Sequence, residues 1–295
     1  MEKAVCARAP AKVNLHLRVF GRRKDGFHSL RSIFQAISLA DELTVRSLKQ
    51  PERIEIDGVF DCPPEKTTIY QGIVAFREAT GIQTGVSVKV GKTIPAGAGL
   101  GGGSSDAAAL LLSLDSLFAT RLSLRDLAGL GARVGSDVPF FLYGGAAIVE
   151  GRGELIRPLA ARRDYALVLV FPGFPMGTAE AFRLLDRERP DDGGEADLPA
   201  SVLESAYPLP PGDWPFANSF EAPVAGIHPE IALWLERLRA AGALFARMSG
   251  SGSTLFGVFG GAAEAEQAVG VLRKNAEPDI LVCTAFPLAH GISLL

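Results

Sequence analysis

After a charged start the chain alternates strictly: Val13, Leu15, Leu17 and Val19 are apolar, and Asn14, His16 and Arg18 between them are polar. That period of two predicts a strand with one apolar face. A turn with a basic face, Gly21-Arg-Arg-Lys-Asp-Gly26, follows, and extended chain is expected again from about Ser32 to Val45. The period then changes. Ile69, Ile73 and Phe76 share one helical face between Thr67, a good cap, and Gly81, so a helix is predicted through Ala79. Val86-Ser-Val-Lys-Val90 returns to alternation and leads into a glycine-rich stretch ending at Ser104-Ser105-Asp106. An apolar helix is expected from Asp106 to about Phe118, with Ser104 or Ser105 as its cap. Ser123 is the expected cap of another helix, ahead of a loop Gly135-Ser-Asp-Val-Pro139.

The second half has the same mixed character. Tyr165–Phe171 reads as a buried strand, and Thr178 is placed to cap a helix Ala179–Leu185. Residues Arg187 to Asp213 are rich in Pro, Gly, Asp and Glu, which predicts an exposed loop or a poorly ordered insertion. Helices are expected over Pro229–Ala241 and Ala262–Arg273, a strand over Ile280–Phe286, and Gly250-Ser-Gly252 lies between two strand-like runs. Helices and strands in both halves indicate an α+β protein. At 295 residues two domains are the natural expectation, and the charged Arg162-Arg163-Asp164 marks the change. The division is placed at residues 1–158 and 159–295.

Composition narrows the function classes. A net charge of −3 gives no global basic field to recruit nucleic acid or anionic lipid, so an anionic ligand must be held by local devices. No apolar stretch approaches the ~20 residues of a membrane span. The amino terminus carries charge where a signal peptide is apolar, so a cytoplasmic protein is expected. Cys6, Cys62 and Cys283 are odd in number and far apart, and are expected as reduced, mostly buried thiols. The four histidines are scattered, without metal-ligand spacing.

Five glycines, Gly97, Gly99, Gly101, Gly102 and Gly103, crowd the approach to the apolar helix. Two familiar phosphate motifs fail there. Gly91-Lys92-Thr93 resembles the end of a P-loop, but the pattern needs glycine at position 86, which is Val86. Gly97-Ala-Gly99-Leu-Gly-Gly102 satisfies G-x-G-x-x-G, yet the acidic residue of a dinucleotide site is missing from a second strand; Asp115 falls within the helix. What survives is physical: glycine-freed amides at a helix N-terminus form an anion site.

Pro95-Ala-Gly-Ala-Gly-Leu-Gly-Gly-Gly-Ser-Ser-Asp-Ala resembles the central ATP-binding motif of the GHMP kinases, the galacto-, homoserine, mevalonate and phosphomevalonate kinase superfamily. Ala9-Pro-Ala-Lys-Val-Asn-Leu-His-Leu resembles the family's first motif, and Met248-Ser-Gly-Ser-Gly-Ser-Thr-Leu-Phe its third, in the family's order. The resemblance implies a two-domain GHMP kinase fold, with a ribosomal-protein-S5 domain-2-like amino-terminal domain and a ferredoxin-like carboxy-terminal domain. It also implies ATP as phosphoryl donor, held by Pro95, Ala96, Gly97, Ala98, Gly99, Leu100, Gly101, Gly102, Gly103, Ser104 and Ser105. Mg2+ is expected mainly on the ATP phosphates, with Ser105 the candidate protein ligand and no metal motif otherwise.

Flanking segments, among them Gly21-Arg-Arg-Lys-Asp-Gly-Phe-His28, Gly135-Ser-Asp-Val-Pro-Phe-Phe, Thr178-Ala-Glu-Ala-Phe182 and Asn218-Ser-Phe-Glu221, resemble the branch of the family acting on a cytidine-diphosphate-linked polyol. By that resemblance Lys12 and Asp137 are the catalytic pair. Phe27 and Phe182 would sandwich the cytosine, with His28 and Thr178 as polar contacts; Phe27 stands where the branch usually has Tyr. Asn14 and the Gly250-Ser251-Gly252 segment complete the acceptor side. A small-molecule substrate follows, with no nucleic acid or membrane partner, and monomer and homodimer both open. Another GHMP kinase activity, on mevalonate, homoserine or a sugar, and a non-catalytic nucleotide-binding protein on the same scaffold are the alternatives.

Overall fold

A computed structural model describes residues 3–188, 198–274 and 276–295. Strand β1 (Ala4–Arg22) and strand β2 (His28–Leu48) form a long antiparallel pair whose register slips between Asn14 and His16. Chain then passes through β3 (Ile54–Asp57), helix α1 (Thr68–Thr80), β4 (Gly85–Gly91) and α2 (Gly102–Phe118). Next come α3 (Leu124–Val134), the short α4 (Val138–Tyr143), β5 (Ala146–Gly151) and β6 (Leu155–Leu159). These strands build one sheet in the order β1-β2-β4-β3, with β5 on β2 and β6 on β5. Helices α1 to α4 cover one of its faces through Phe76, Leu110, Leu114 and Phe140.

The remaining chain builds a second sheet from β7 (Ala166–Phe171), β8 (Phe245–Met248), β9 (Leu255–Phe259) and β10 (Leu281–Ala285). Between β7 and β8 lie α5 (Thr178–Glu188), α6 (Ala200–Ala206), α7 (Glu221–Ile227) and α8 (Glu230–Ala240), and α9 (Ala262–Arg273) joins β9 to β10. The order β10-β7-β9-β8, all antiparallel, with helical crossovers before β8 and after β9, is the ferredoxin-like arrangement. Trp234, Leu238, Ala265 and Leu272 of α8 and α9 pack on Val168 and Val170 of its sheet. The last strand, β11 (Ser293–Leu294), returns to pair with β1. The change of sheet falls between Leu159 and Ala166.

Strand β1 is not half-solvated. Residues 9 to 19 are buried on both faces. Ala11, Val13 and Leu15 pack with Leu167, Leu169 and Phe256 of the second sheet in a core lying between the sheets. The alternate positions Lys12, Asn14, His16 and Arg18 are buried too, with Lys12 and Asn14 lining a cleft between the two halves. Buried polar side chains need partners, and the cleft supplies them.

Thr67 and Ser123 cap α1 and α3 as expected, and Gly81 ends α1 in the left-handed conformation. The expected cap of α2 is corrected. Gly101, at φ 73°, allows the helix to begin at Gly102, so Ser104 and Ser105 lie inside its first turn and cap nothing. Thr178 is likewise the first residue of α5 rather than its cap. The Arg187–Asp213 insertion is corrected in part: residues 189–197 lie outside the described residues, but α6 follows with Leu203 and Ala206 buried, and Tyr207 and Trp214 join the core between the sheets. Cys6 is exposed, Cys62 and Cys283 are half-buried, and all three are free.

Candidate active site

The cleft, about 460 Å3, is lined by β1, the glycine stretch, the 59–69 segment, the start of α5 and the loop before β9. Gly97, Gly99 and Gly101 alternate in the left-handed region at φ 61°, 74° and 73°. Their carbonyls are spent on the protein. Met176 N–H donates to Gly97, Thr254 N–H to Ala98, the Ser249 hydroxyl to Gly99, and Lys12 N–H to Leu100. Among the described residues nothing accepts from the amides of 97–101, which are left for an anion beside the N-terminus of α2. Much of the glycine requirement comes from the protein itself. A Cβ on Gly99 would sit 2.1 Å from the Ser249 carbonyl oxygen, and one on Gly101 2.9 Å from the Phe141 ring and 3.2 Å from Lys12 Cε.

Lys12 stands where these segments meet. Its ammonium donates to Asn14 Oδ1 at 2.6 Å and to the Gly99 carbonyl at 3.2 Å, and Asp137 Oδ2 lies 3.6 Å away. The Phe34 ring lies under the ammonium at 4.7 Å. Burial pushes the Lys12 pKa below its ordinary value, against the opposing pull of Asp137. Asp137 occupies the residue before α4, but its carboxylate makes no capping hydrogen bond, which leaves it free to face the cleft. Asn14 is fixed at both ends: Nδ2 donates to Ser32 Oγ and its backbone N–H to Ser249 Oγ.

The loop between β8 and β9 closes the opposite wall. Gly250 approaches the backbone of Gly99 and Asn14 Oδ1, and Ser251 Oγ lies 3.4 Å from Thr178 Oγ1. Gly250, Ser251 and Thr178 line the cleft; Gly252 does not, and its missing side chain makes room for Met248 Sδ. Ser105 is fully buried beneath the glycine loop, and Ser104 lines the cleft.

The expected Phe27–Phe182 sandwich is not formed. Phe27 is exposed, with the Arg152 guanidinium 3.9 Å over its ring, because it belongs to the β1–β2 turn and not to the cleft wall. Phe182 does line the cleft, but the ring stacked on it is His28, at 4.9 Å and 25°. His28 Nδ1 faces the Phe20 carbonyl at 2.8 Å, and Nε2 faces Asp186 at 3.2 Å.

Sequence reasoning missed a charged cluster under the loop. Lys92 bridges Asp41 at 2.5 Å and Asp106 at 2.8 Å, and Asp41 also accepts from the backbone N–H groups of Thr93 and Ile94. The cluster thus ties both ends of the glycine stretch to β2. Burial, with Asp41 adding to it and Lys92 opposing, raises the Asp106 pKa to about 7. The Lys92 pKa is raised, because its two carboxylates outweigh its burial. The only sequence signal was a lysine ahead of the glycines, set aside with the failed P-loop. The wall around Phe60, Lys66 and Thr68 was also missed; Thr68 Oγ1 donates to the Gly103 carbonyl at 2.6 Å.

An open glycine nest at a helix N-terminus, with a buried lysine and a half-buried aspartate across it, is an arrangement suited to phosphoryl transfer and points to the GHMP kinase class. Residues 67–145 match the family described as GHMP kinases N terminal domain, and residues 212–277 match GHMP kinases C terminal. The 4-diphosphocytidyl-2-C-methyl-D-erythritol kinase of Treponema pallidum is 44% identical over 92% of this chain and 96% of its own. The kinase of that name from Symbiobacterium thermophilum is 41% identical over 84% of this chain and 88% of its own. A crystal structure of 4-(cytidine 5'-diphospho)-2C-methyl-D-erythritol kinase superposes with TM-score 0.78, at 37% identity over 97% of this chain and 99% of that one. Homoserine kinase from Cytophaga hutchinsonii shares the fold, with TM-score 0.76 at 19% identity over 99% of this chain and 97% of that one. The chain belongs to the 4-diphosphocytidyl-2-C-methyl-D-erythritol kinases, a branch of the GHMP kinase family.

Proposed function

We propose that Lys12 and Asp137 carry out the ATP-dependent phosphorylation of the 2-hydroxyl of 4-diphosphocytidyl-2-C-methyl-D-erythritol, a step towards isoprenoid precursors. The observation that supports this most is the Lys12 ammonium, buried among Asp137, Asn14 and the Gly99 carbonyl at the mouth of the nucleotide loop. The acceptor oxygen attacks the γ-phosphorus as its proton passes to the Asp137 carboxylate. The bond from the γ-phosphorus to the β–γ bridging oxygen breaks, and ADP leaves. Lys12 lies beside the carboxylate that takes the proton and, poorly hydrated, holds the transferring phosphoryl oxygens more strongly than a solvated amine does. The open amides of residues 97–101 hold the other phosphates, and positioning together with charge stabilisation supplies most of the acceleration.

Mg2+ fits this arrangement as an ion carried on the nucleotide. Among the described residues no three His, Cys, Asp or Glu side chains gather into a metal cage, whereas Ser105 Oγ is buried in the first turn of α2 with no hydrogen-bond partner. Ser105 and the ATP phosphates would hold the ion, which neutralises phosphate charge when bound.

Asn14, Thr178, Phe182, Gly250 and Ser251 face the acceptor side of the cleft, with His28 behind Phe182. Phe27 can reach a base only if the β1–β2 turn moves. The domain division expected at residues 158 and 159 is better drawn in the link after β6, between Leu159 and Ala166, with β11 returning to the first domain. Among the described residues no helix is long and apolar enough to cross a membrane. A coupled ADP-release assay with the cytidylylated acceptor, mevalonate, homoserine and galactose tests the reading. Turnover with the first alone is expected, and turnover with another acceptor in its place overturns it.

A further inference from the structure

Asn218-Ser-Phe-Glu221 lies outside the reacting centre, yet its side chains are spent on two segments that form it. Both Nδ2 protons of Asn218 are used, on the carbonyls of Met248 at 2.7 Å and Gly250 at 2.9 Å. Its Oδ1 accepts from Phe220 N–H, which fixes the amide orientation. Glu221 Oε2 accepts from Met248 N–H at 2.9 Å. Both backbone groups of Met248 and the carbonyl of Gly250 are therefore held by this one segment.

The same segment grips β1. Leu17 N–H donates to the Ala217 carbonyl, Ser219 N–H donates to the Leu17 carbonyl, and Val19 N–H donates to Ser219 Oγ. From the far side, Ser249 Oγ accepts from Asn14 N–H and donates to the Gly99 carbonyl. The contacts close a ring that leaves β1 at Leu17–Val19, crosses Asn218 to the Met248–Gly250 loop and returns to β1 at Asn14. Asn218, Ser219 and Ser249 are all buried, so water does not compete for these bonds. Asn14 in turn holds the Lys12 ammonium.

The geometry points to Asn218 and Glu221 as positioning residues for phosphoryl transfer. They set the Met248–Gly250 loop so that Ser249 locks the nucleotide loop to the strand bearing Lys12 and Asn14. Neither touches a reacting atom. The inference rests on the kinase reading above and adds the part that sets the distance between donor and acceptor.

The test is kinetic, on the full chain with ATP and the cytidylylated acceptor. Asn218→Asp keeps the shape and the Oδ1 acceptor but loses both donors. Misplacement of reacting groups by about 1 Å costs about 10²-fold, so a fall in kcat of about ten- to a hundred-fold is expected. Binding of ATP alone and of acceptor alone, measured by calorimetry, stays unchanged. Glu221→Ala behaves similarly, and Glu221→Gln, which keeps an acceptor for Met248 N–H, restores most of the loss. Ser249→Ala lowers kcat, and adding it to Asn218→Asp costs little more, because the two act as one brace. Circular dichroism identifies folded variants; if Asn218→Asp does not fold, the Glu221 pair and Ser249→Ala carry the test. Wild-type kcat in folded Asn218→Asp or Glu221→Ala, equal damage by Glu221→Gln and Glu221→Ala, or multiplied losses in the double variant overturns the inference. Absence of turnover in the wild-type protein would instead remove the kinase reading beneath it.

Discussion

Replacing Asp137 by Asn changes one atom at the centre of the cleft and separates two roles of the carboxylate. The amide retains size and hydrogen-bonding reach but cannot accept the hydroxyl proton, and loss of a general base typically costs ~10²–10⁴ in rate, about 3–5 kcal/mol of barrier. The second loss is electrostatic. The carboxylate lies 3.6 Å from the Lys12 ammonium. Unit charges at that range attract by roughly 4 kcal/mol at the effective dielectric of a protein surface. Burial already lowers the Lys12 pKa, and Asp137 opposes that shift. Removing it lowers the pKa further, so the ammonium is lost as pH rises through a lower value, and the alkaline limb of kcat moves towards neutrality. The expected result in a coupled ADP-release assay is a kcat reduced by about 10²–10⁴, with ATP and acceptor affinities by calorimetry nearly unchanged. A kcat close to wild type would show that the proton leaves by another route, and an alkaline limb that does not move would show that Asp137 does not sustain the Lys12 charge.

Gly101→Val places a branched side chain at φ 73° against Phe141 and Lys12 Cε, so the folded variant should bind ATP weakly by calorimetry; unchanged affinity would refute the phosphate role of the loop. Phe182→Ala removes a cleft wall worth about 1–3 kcal/mol as a stacking surface, and should weaken acceptor binding about ten-fold or more without affecting ATP; equal loss for both would point to damage to the fold. Burial raises the Asp106 pKa from 3.8 to about 7, so the folded protein holds a proton that the unfolded chain releases in that window. Stability should therefore fall as pH rises from 3.8 to about 7, and Asp106→Asn should flatten that slope in melting curves of the nucleotide-free protein; parallel slopes would contradict the assignment.

Much of the fold is legible in the residues because its signals are local. Alternation marks β1 and β4, Thr67 and Ser123 announce helix starts, and Ala262–Arg273 is helical over the expected span. Glycine predicts loop up to Ser104, which sets the expected start of α2 too late. In fact a left-handed Gly101 moves the helix start forward, and that conformation depends on what packs around it. The Pro, Gly, Asp and Glu content of Arg187–Asp213 predicts loop or poor order, whereas Leu203 and Tyr207, with Trp214 just beyond, find burial in a core that composition does not reveal.

The candidate site divides in the same way. Sequence alone marked the glycine stretch at the start of α2 and, through three ordered motifs, the kinase family, since backbone freedom and helix polarity are properties of consecutive residues. Lys12 and Asp137 came from resemblance, being 125 positions apart; only the packing of α4 against the sheet brings them within 3.6 Å. Lys92 with Asp41 and Asp106, His28 on Phe182 rather than Phe27, and the brace from Asn218 and Glu221 were decided by tertiary structure. Each depends on distances between chain segments that no local pattern encodes, and on burial that makes a charge or a hydrogen bond count.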